Sequence, residues 1–202
     1  MEPRIQYVRT SDGVNIAYAT LGRGHPLVLV TPITWIHSIE MISHLPPALA
    51  VIERLAERRM VVLCDNRGQG VSQRDVDDLS ALARTRDLAA VVEALQASTV
   101  DLMSLGPASL VSIRYAVDQP GRVSHLIISS GVASGNDFFA GRWSPTRRAL
   151  QPIAEVNWDF FVEATVLLDY GWEMGGESLK WRSMQFHGRR QEHPTETHGR
   201  TT

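Results

Sequence analysis

Three short strand-like segments, at residues 27–30, 60–64 and 100–103, most constrain what this chain can fold into. Each is too short for an ordinary helix, and the first two are continuous apolar runs, the pattern of a strand covered on both faces. Between them the apolar period becomes helical. Residues 48–58 place Val51, Ile52 and Leu55 on one face, and residues 79–97 do the same with Leu88, Val91, Val92 and Leu95. Residues 107–117 predict another helix, ending before Gln119-Pro120-Gly121, and residues 125–128 another strand. Strands and helices in this alternation build a mostly parallel sheet with right-handed helical crossovers.

The N-terminus reads differently. Residues 5–8 and 14–19 are short strands, the second alternating Val14, Ile16 and Tyr18 with Asn15, Ala17 and Ala19. Ser11-Asp12-Gly13 lies between them, and Asp-Gly supplies the positive φ angles of a tight turn. An antiparallel hairpin is therefore expected ahead of the parallel part.

Composition bounds the function. With 202 residues, 44% hydrophobic and 21% charged, the chain fits one large domain or one domain with an appendage. A net charge of −2 gives no electrostatic reason to expect nucleic acid or an anionic membrane as partner. The single cysteine, Cys64, excludes an intrachain disulfide and a multi-cysteine metal site. It reads as a packed thiol in an apolar strand. No run approaches the ~20 apolar residues of a membrane-spanning helix. Residues 1–9 carry charges and no long apolar run, so a signal peptide is not expected there. A cytoplasmic protein without cofactor or metal is expected.

Past residue 134 the character shifts. Phe138, Phe139, Trp143, Trp158, Phe160, Phe161, Trp172 and Trp181 crowd together, and four of the five tryptophans lie there. Asn157 is placed to cap a helix running to Leu168, with Asp159 in its first turn. The chain thus divides into a core at 1–135, a helical cap-like segment at 136–186 and a polar, disordered tail at 187–202. His187, His193 and His198 in that tail match no zinc-ligand spacing.

After the strand at 60–64 comes Asp65-Asn66-Arg67-Gly68-Gln69-Gly70-Val71-Ser72. This segment resembles the D-x-R-G-x-G-x-S turn of the α/β-hydrolase family. Asp65 and Arg67 are suited to a local ion pair, and Gly68 and Gly70 to a tight loop that Ser72 closes. These residues look structural there, not catalytic. The stretches "VRTSDGVNIAYATLGRG", "RDVDDLS", "RDLAAVVEAL" and "PGRVSHLIISSG" are similar to hydrolase-like domains found alone or fused to bacterial adenylate cyclases or LuxR-type regulators. The resemblance covers about residues 5–135. It implies an α/β fold of α/β-hydrolase type: a mostly parallel sheet with an N-terminal antiparallel hairpin, flanking helices and a partial helical cap. The family's later strands are expected to be absent, so the chain reads as a truncated relative.

In that family the strand equivalent to 100–103 leads into a nucleophile elbow, G-x-S-x-G. Its serine sits on a sharp turn, and the next backbone N–H helps bind the oxyanion. Here Ser104-Leu105-Gly106-Pro107-Ala108 follows, with Gly106 at the nucleophile position. Glycine cannot attack, and Pro107 has no N–H to donate. The simplest reading is that Gly106 enters the next helix and Pro107 occupies its first turn. Ser104 and Ser109 are the neighbouring serines that could substitute as nucleophile; each could equally hydrogen-bond locally. The triad's acid and histidine have no counterpart in the resemblance. Thr31-Pro32-Ile33-Thr34-Trp35 matches the loop that gives the second oxyanion donor, so Ile33, Thr34 and Trp35 are candidate oxyanion or pocket residues. Asp75, Asp77 and Asp78 read as caps of the following helix, not as metal ligands.

Two readings follow. The first is an α/β-hydrolase-like protein without hydrolytic chemistry, taking a small apolar or acyl ligand or acting as a regulatory module. The second is an active serine hydrolase of esterase type that uses Ser104 or Ser109. Without later strands, residues 125–128 would form a sheet edge, and Leu126, Ile127 and Ile128 would need cover from the aromatic segment or from another chain, as in a homodimer.

Overall fold

In the computed structural model, which describes residues 4–32, 38–43, 46–135, 144–150, 152–157, 160–161 and 164, six strands form one sheet. They are β1 (Ile5–Arg9), β2 (Asn15–Leu21), β3 (Pro26–Val30), β4 (Met60–Cys64), β5 (Val100–Leu105) and β6 (Val123–Ser129). Their spatial order is β1-β2-β4-β3-β5-β6. β3 pairs in parallel with both β4 and β5, and β5 with β6; β2 runs antiparallel to β1 and β4. The mostly parallel sheet behind an antiparallel hairpin is thus as the sequence predicts.

The hairpin turns between Thr10 and Val14, where the Thr10 N–H donates to the Val14 carbonyl at 2.9 Å. Of the Asp-Gly pair only Gly13 takes a positive φ, +89°. Asp12 is instead recruited to a distant arginine, described below.

Helices cover both faces. α1 (Ile39–Ser43) and α2 (Pro46–Ala56) follow β3; α3 (Ala81–Ala94) joins β4 to β5; α4 (Ser109–Asp118) joins β5 to β6. Leu88, Val91, Val92, Val111 and Tyr115 of α3 and α4 pack on Ile16, Tyr18, Val28, Val30, Val62, Val100 and Leu102. Ile39, Ile42 and Ile52 of α1 and α2 pack with Ala17, Ala19, Leu21, Val61 and Leu63. The alternation in β2 therefore separates two covered faces, with small alanines turned toward α1 and α2. Val51 is 59% exposed, against expectation. The buried stripe of α2 centres on Ile52 with Leu55 and Ala56 beside it, and Val51 lies beyond its margin.

α3 is shorter than its apolar period suggests. Ser80 is its N-cap, its Oγ accepting the Ala83 N–H at 3.2 Å, and Asp78 in turn accepts the Ser80 N–H at 2.9 Å. The cap is this serine, not one of the three aspartates. Ser80→Ala should lower stability by about 1 kcal/mol, read as an earlier urea midpoint at unchanged slope.

The chain divides into two units, 1–138 and 139–202. The second holds α5 (Ser144–Leu150) and α6 (Ile153–Val156). Asn157 Oδ1 accepts the Phe160 N–H at 3.0 Å, the bond expected of an N-cap. The remainder of the helix anticipated to Leu168, and the tail at 187–202, lie outside the described residues. Among the described residues no helix is long and apolar enough to cross a membrane, and no group of three or more His, Cys, Asp or Glu could hold a metal ion.

Candidate functional site

In open α/β sheets, ligands bind beyond the carboxyl ends of the parallel strands. Here that end is formed by Thr31 after β3, Asp65 after β4 and Gly106 after β5. The pairing Val30↔Ser104 sets the first and last of these side by side.

β5 leaves the sheet through Leu105, still extended at φ −113° and ψ 129°. Gly106 then takes φ +53°, in the left-handed region, and opens a 3₁₀ turn through Ala108 into α4. The simple helix entry expected for Gly106 is thus corrected: the backbone reverses sharply there, at an angle that suits glycine. A Cβ built on Gly106 meets no atom of the described residues within 4 Å. Pro107 lies in the first turn as expected, where its missing N–H costs the helix nothing.

The two nearby serines are placed differently. Ser104 is in the strand interior, fully buried, with its Oγ donating to the Ile127 carbonyl at 3.4 Å. Ser109, also fully buried, donates to the Val132 carbonyl at 2.7 Å and accepts the Val132 N–H at 2.9 Å. That second pairing spans 23 residues, so Ser109 fastens α4 to the segment after β6 rather than bonding locally. Ile33, Thr34 and Trp35 lie outside the described residues.

The turn after β4 is built around Asp65 and Arg67, which do not form the expected local ion pair. The Asp65 carboxylate accepts the Ile39 N–H at 2.8 Å and the Val71 N–H at 2.9 Å. It ties the start of α1 to the far side of its own loop. Burial pushes Asp65 up to about 6, and these two bonds only partly oppose that rise. Gly70, at φ +54°, lies against the same carboxylate: a Cβ there would fall 2.0 Å from Asp65 Oδ2. Ser72 Oγ donates to the Asp65 carbonyl at 2.7 Å and accepts the Ala17 N–H at 2.8 Å, stitching the loop to β2. Gly68 also needs its positive φ, +75°.

Arg67 turns the other way. Its guanidinium reaches Asp87 of α3 at 2.7 Å and Asp12 of the hairpin at 2.9 Å. Arg67 and Asp87 are buried, and Arg86 adds a second contact to Asp12 at 3.3 Å. Arg67 holds the Asp12 carboxyl well below the usual carboxylate range. Partners 20 and 55 residues away suit Arg67 better because Asp65 is already engaged by backbone donors. Burial next to Asp65 and Asp87 pushes the Cys64 thiol up to about 12, which makes it a packed, unreactive sulfhydryl.

A second polar cluster, not anticipated, lies at the opposite end of the sheet. Asp101 of β5, almost fully buried, meets His125 Nδ1 at 2.8 Å, His25 Nε2 at 3.3 Å and Arg59 Nη1 at 3.1 Å. These contacts hold its carboxyl below the usual range despite burial, which by itself raises it. Only adjacency of β3, β4, β5 and β6 joins these four residues; no sequence spacing marks them.

No family model matches the sequence. A protein of Azorhizobium caulinodans named "Putative carbamate hydrolase RutD" is 30% identical over 99 residues, 49% of this chain and 37% of that protein. The chain thus spans little more than a third of this curated relative. Among solved structures, a hydrolase from Pseudomonas aeruginosa PA01 aligns with TM-score 0.62 at 19% identity, over 88% of this chain and 66% of its own. A thermophilic esterase from Thermogutta terrifontis aligns with TM-score 0.60 at 20% identity, over 81% and 58%. A Vigna radiata epoxide hydrolase mutant gives 0.60 at 17%, over 82% and 55%. At such identities the likeness establishes the fold alone, and with the sheet order it shows a fold of α/β-hydrolase type.

Proposed function

We propose that this α/β-hydrolase-like chain binds a small apolar or acyl ligand at the carboxyl end of its sheet and does not hydrolyse it. One observation carries the reading: the elbow after β5 keeps its sharp, positive-φ turn but presents Gly106 and then Pro107. The first has no nucleophilic atom and the second no oxyanion N–H. Two separate requirements of acyl transfer are missing at adjacent positions. The burial of Ser104 and Ser109, each with a carbonyl acceptor, supports the same reading. The names of the chain's relatives give the ligand classes to try first: esters, carbamates and epoxides.

The test is a panel of short-chain chromogenic esters, carbamates and epoxides, together with a fluorophosphonate probe. No turnover and no labelling are expected, with ligand binding seen by calorimetry. Turnover with labelled Ser104 or Ser109 would establish the serine-hydrolase reading instead. No described residue opposes a side chain at Gly106, and Gly106→Ser should cost about 1 kcal/mol for the left-handed backbone. It should not produce an efficient esterase, because Pro107 still withholds its N–H. A robust gain of ester hydrolysis from this single change would overturn the assignment of the elbow.

A further inference from the structure

The carboxylate of Asp65 joins two pieces of chain at the carboxyl end of the sheet. Its Oδ1 accepts the Ile39 N–H, the first of α1, at 2.8 Å. Its Oδ2 accepts the Val71 N–H, in its own turn, at 2.9 Å. An ionised carboxylate accepts strongly on both oxygens, whereas a protonated carboxyl carries an O–H donor and keeps one good acceptor. We propose that Asp65 is a proton-operated latch: ionised, it holds the first turn of α1 to the turn after β4, and one proton taken from solvent onto Oδ1 releases that helical turn. The proposal is independent of the ligand-binding reading.

The geometry decides which bond yields. Oδ2 occupies the space that a Cβ on Gly70 would take, so its own turn closes it in. Oδ1 faces α1 instead. An N–H that opens a helix has no partner inside it, and a helix of five residues does not hold itself. α1 is tethered by the burial of Ile39 and Ile42 and by this bond. Three groups stand around the carboxylate. The charge of Glu40 on α1 favours the proton, the charge of Arg74 in the turn opposes it, and the Cys64 thiol is kept neutral by burial. β2 faces it with Ala17, whose carbonyl accepts the Asp65 N–H at 3.0 Å. Burial pushes the carboxyl up to about 6, so the latch changes state near that pH. Because α1 follows β3, the latch acts on the chain as it returns from the carboxyl end of the sheet.

Amide shifts of the full chain, followed by nuclear magnetic resonance from about pH 8 to about pH 5, test the latch. The Ile39 amide proton should move upfield along one titration curve centred near pH 6, as it loses a charge-assisted bond, while the Val71 amide keeps its own. Protection of Ile39 from exchange, corrected for the intrinsic pH dependence of exchange, should fall about tenfold over the same range. Asp65→Asn should abolish the titration of Ile39, because an amide does not ionise. Glu40→Gln should lower the midpoint, because it removes the charge that favours the proton. An Ile39 amide that does not titrate overturns the proposal. So does a Val71 amide that titrates in its place, since the proton would then sit on the oxygen facing the turn. A titration of Ile39 that survives in Asp65→Asn also overturns it. If Asp65→Asn does not fold, Glu40→Gln decides: a midpoint indifferent to this charge places the titrating group away from α1 and overturns the latch.

Discussion

Arg67→Met is expected to cost about 3–5 kcal/mol of stability, enough to unfold much of the population of an ordinary domain. The guanidinium is buried and serves two carboxylates from different elements, Asp87 on α3 and Asp12 on the hairpin. Methionine fills much of the volume but leaves Asp87 buried without its cation. The cost arises there more than from the attraction lost, since an isolated buried charge is expensive. Urea denaturation at neutral pH measures it. Arg67→Lys should fall between, because an ammonium keeps the charge but cannot reproduce the forked bonds to Asp87. The double variant Arg67→Met, Asp87→Leu should recover part of the loss by removing the stranded charge. A single Arg67→Met variant within about 1 kcal/mol of the original protein would show the pair to be an ordinary surface contact.

The second large effect is a pH dependence from Asp65. Its carboxyl is pushed from 3.8 to about 6 by burial in the folded protein. The folded state therefore binds this proton more tightly than the unfolded state does. Between about pH 4 and pH 6 the folded chain holds more protons, so this group's contribution falls as pH rises through that window. Above it the ionised, buried carboxylate burdens the fold by about 3 kcal/mol, from 1.36 kcal/mol for each unit of displacement. Asp12 has the opposite sign: Arg67 holds its carboxyl low, so its contribution is lost only in stronger acid. Comparing the stability of the original protein and Asp65→Asn from pH 4 to pH 8 isolates the Asp65 component. The difference between them should shift in favour of Asp65→Asn as pH rises through 6. A difference independent of pH would mean that Asp65 ionises like a solvated carboxylate.

Much of the fold was legible because burial leaves a periodic trace. The strands at 27–30, 60–64 and 100–103 all occur in the sheet as β3, β4 and β5, and the hairpin at the N-terminus is β1–β2. Boundaries were less legible. α3 begins at Ala81 because Ser80 supplies a cap, a choice of one hydroxyl that the apolar period does not encode. Val51 shared the helical period of α2 yet faces solvent, since the width of a buried stripe depends on what packs against it.

The site divides in the same way. That glycine and proline follow the fifth strand, at 106 and 107, is a property of composition at two positions. It holds whatever the surrounding packing. That the chain turns sharply at Gly106, with φ +53°, could only be seen in three dimensions. The same is true of the partners of Arg67 and Asp65 and of the His25, Arg59, Asp101 and His125 cluster, which draw on residues far apart in the chain. Sequence alone determined the kinds of strand and helix and which residues stand at the turn after β5, because both are local. Tertiary structure decided which charges meet and which serines are buried, because these depend on the order in which strands lie side by side.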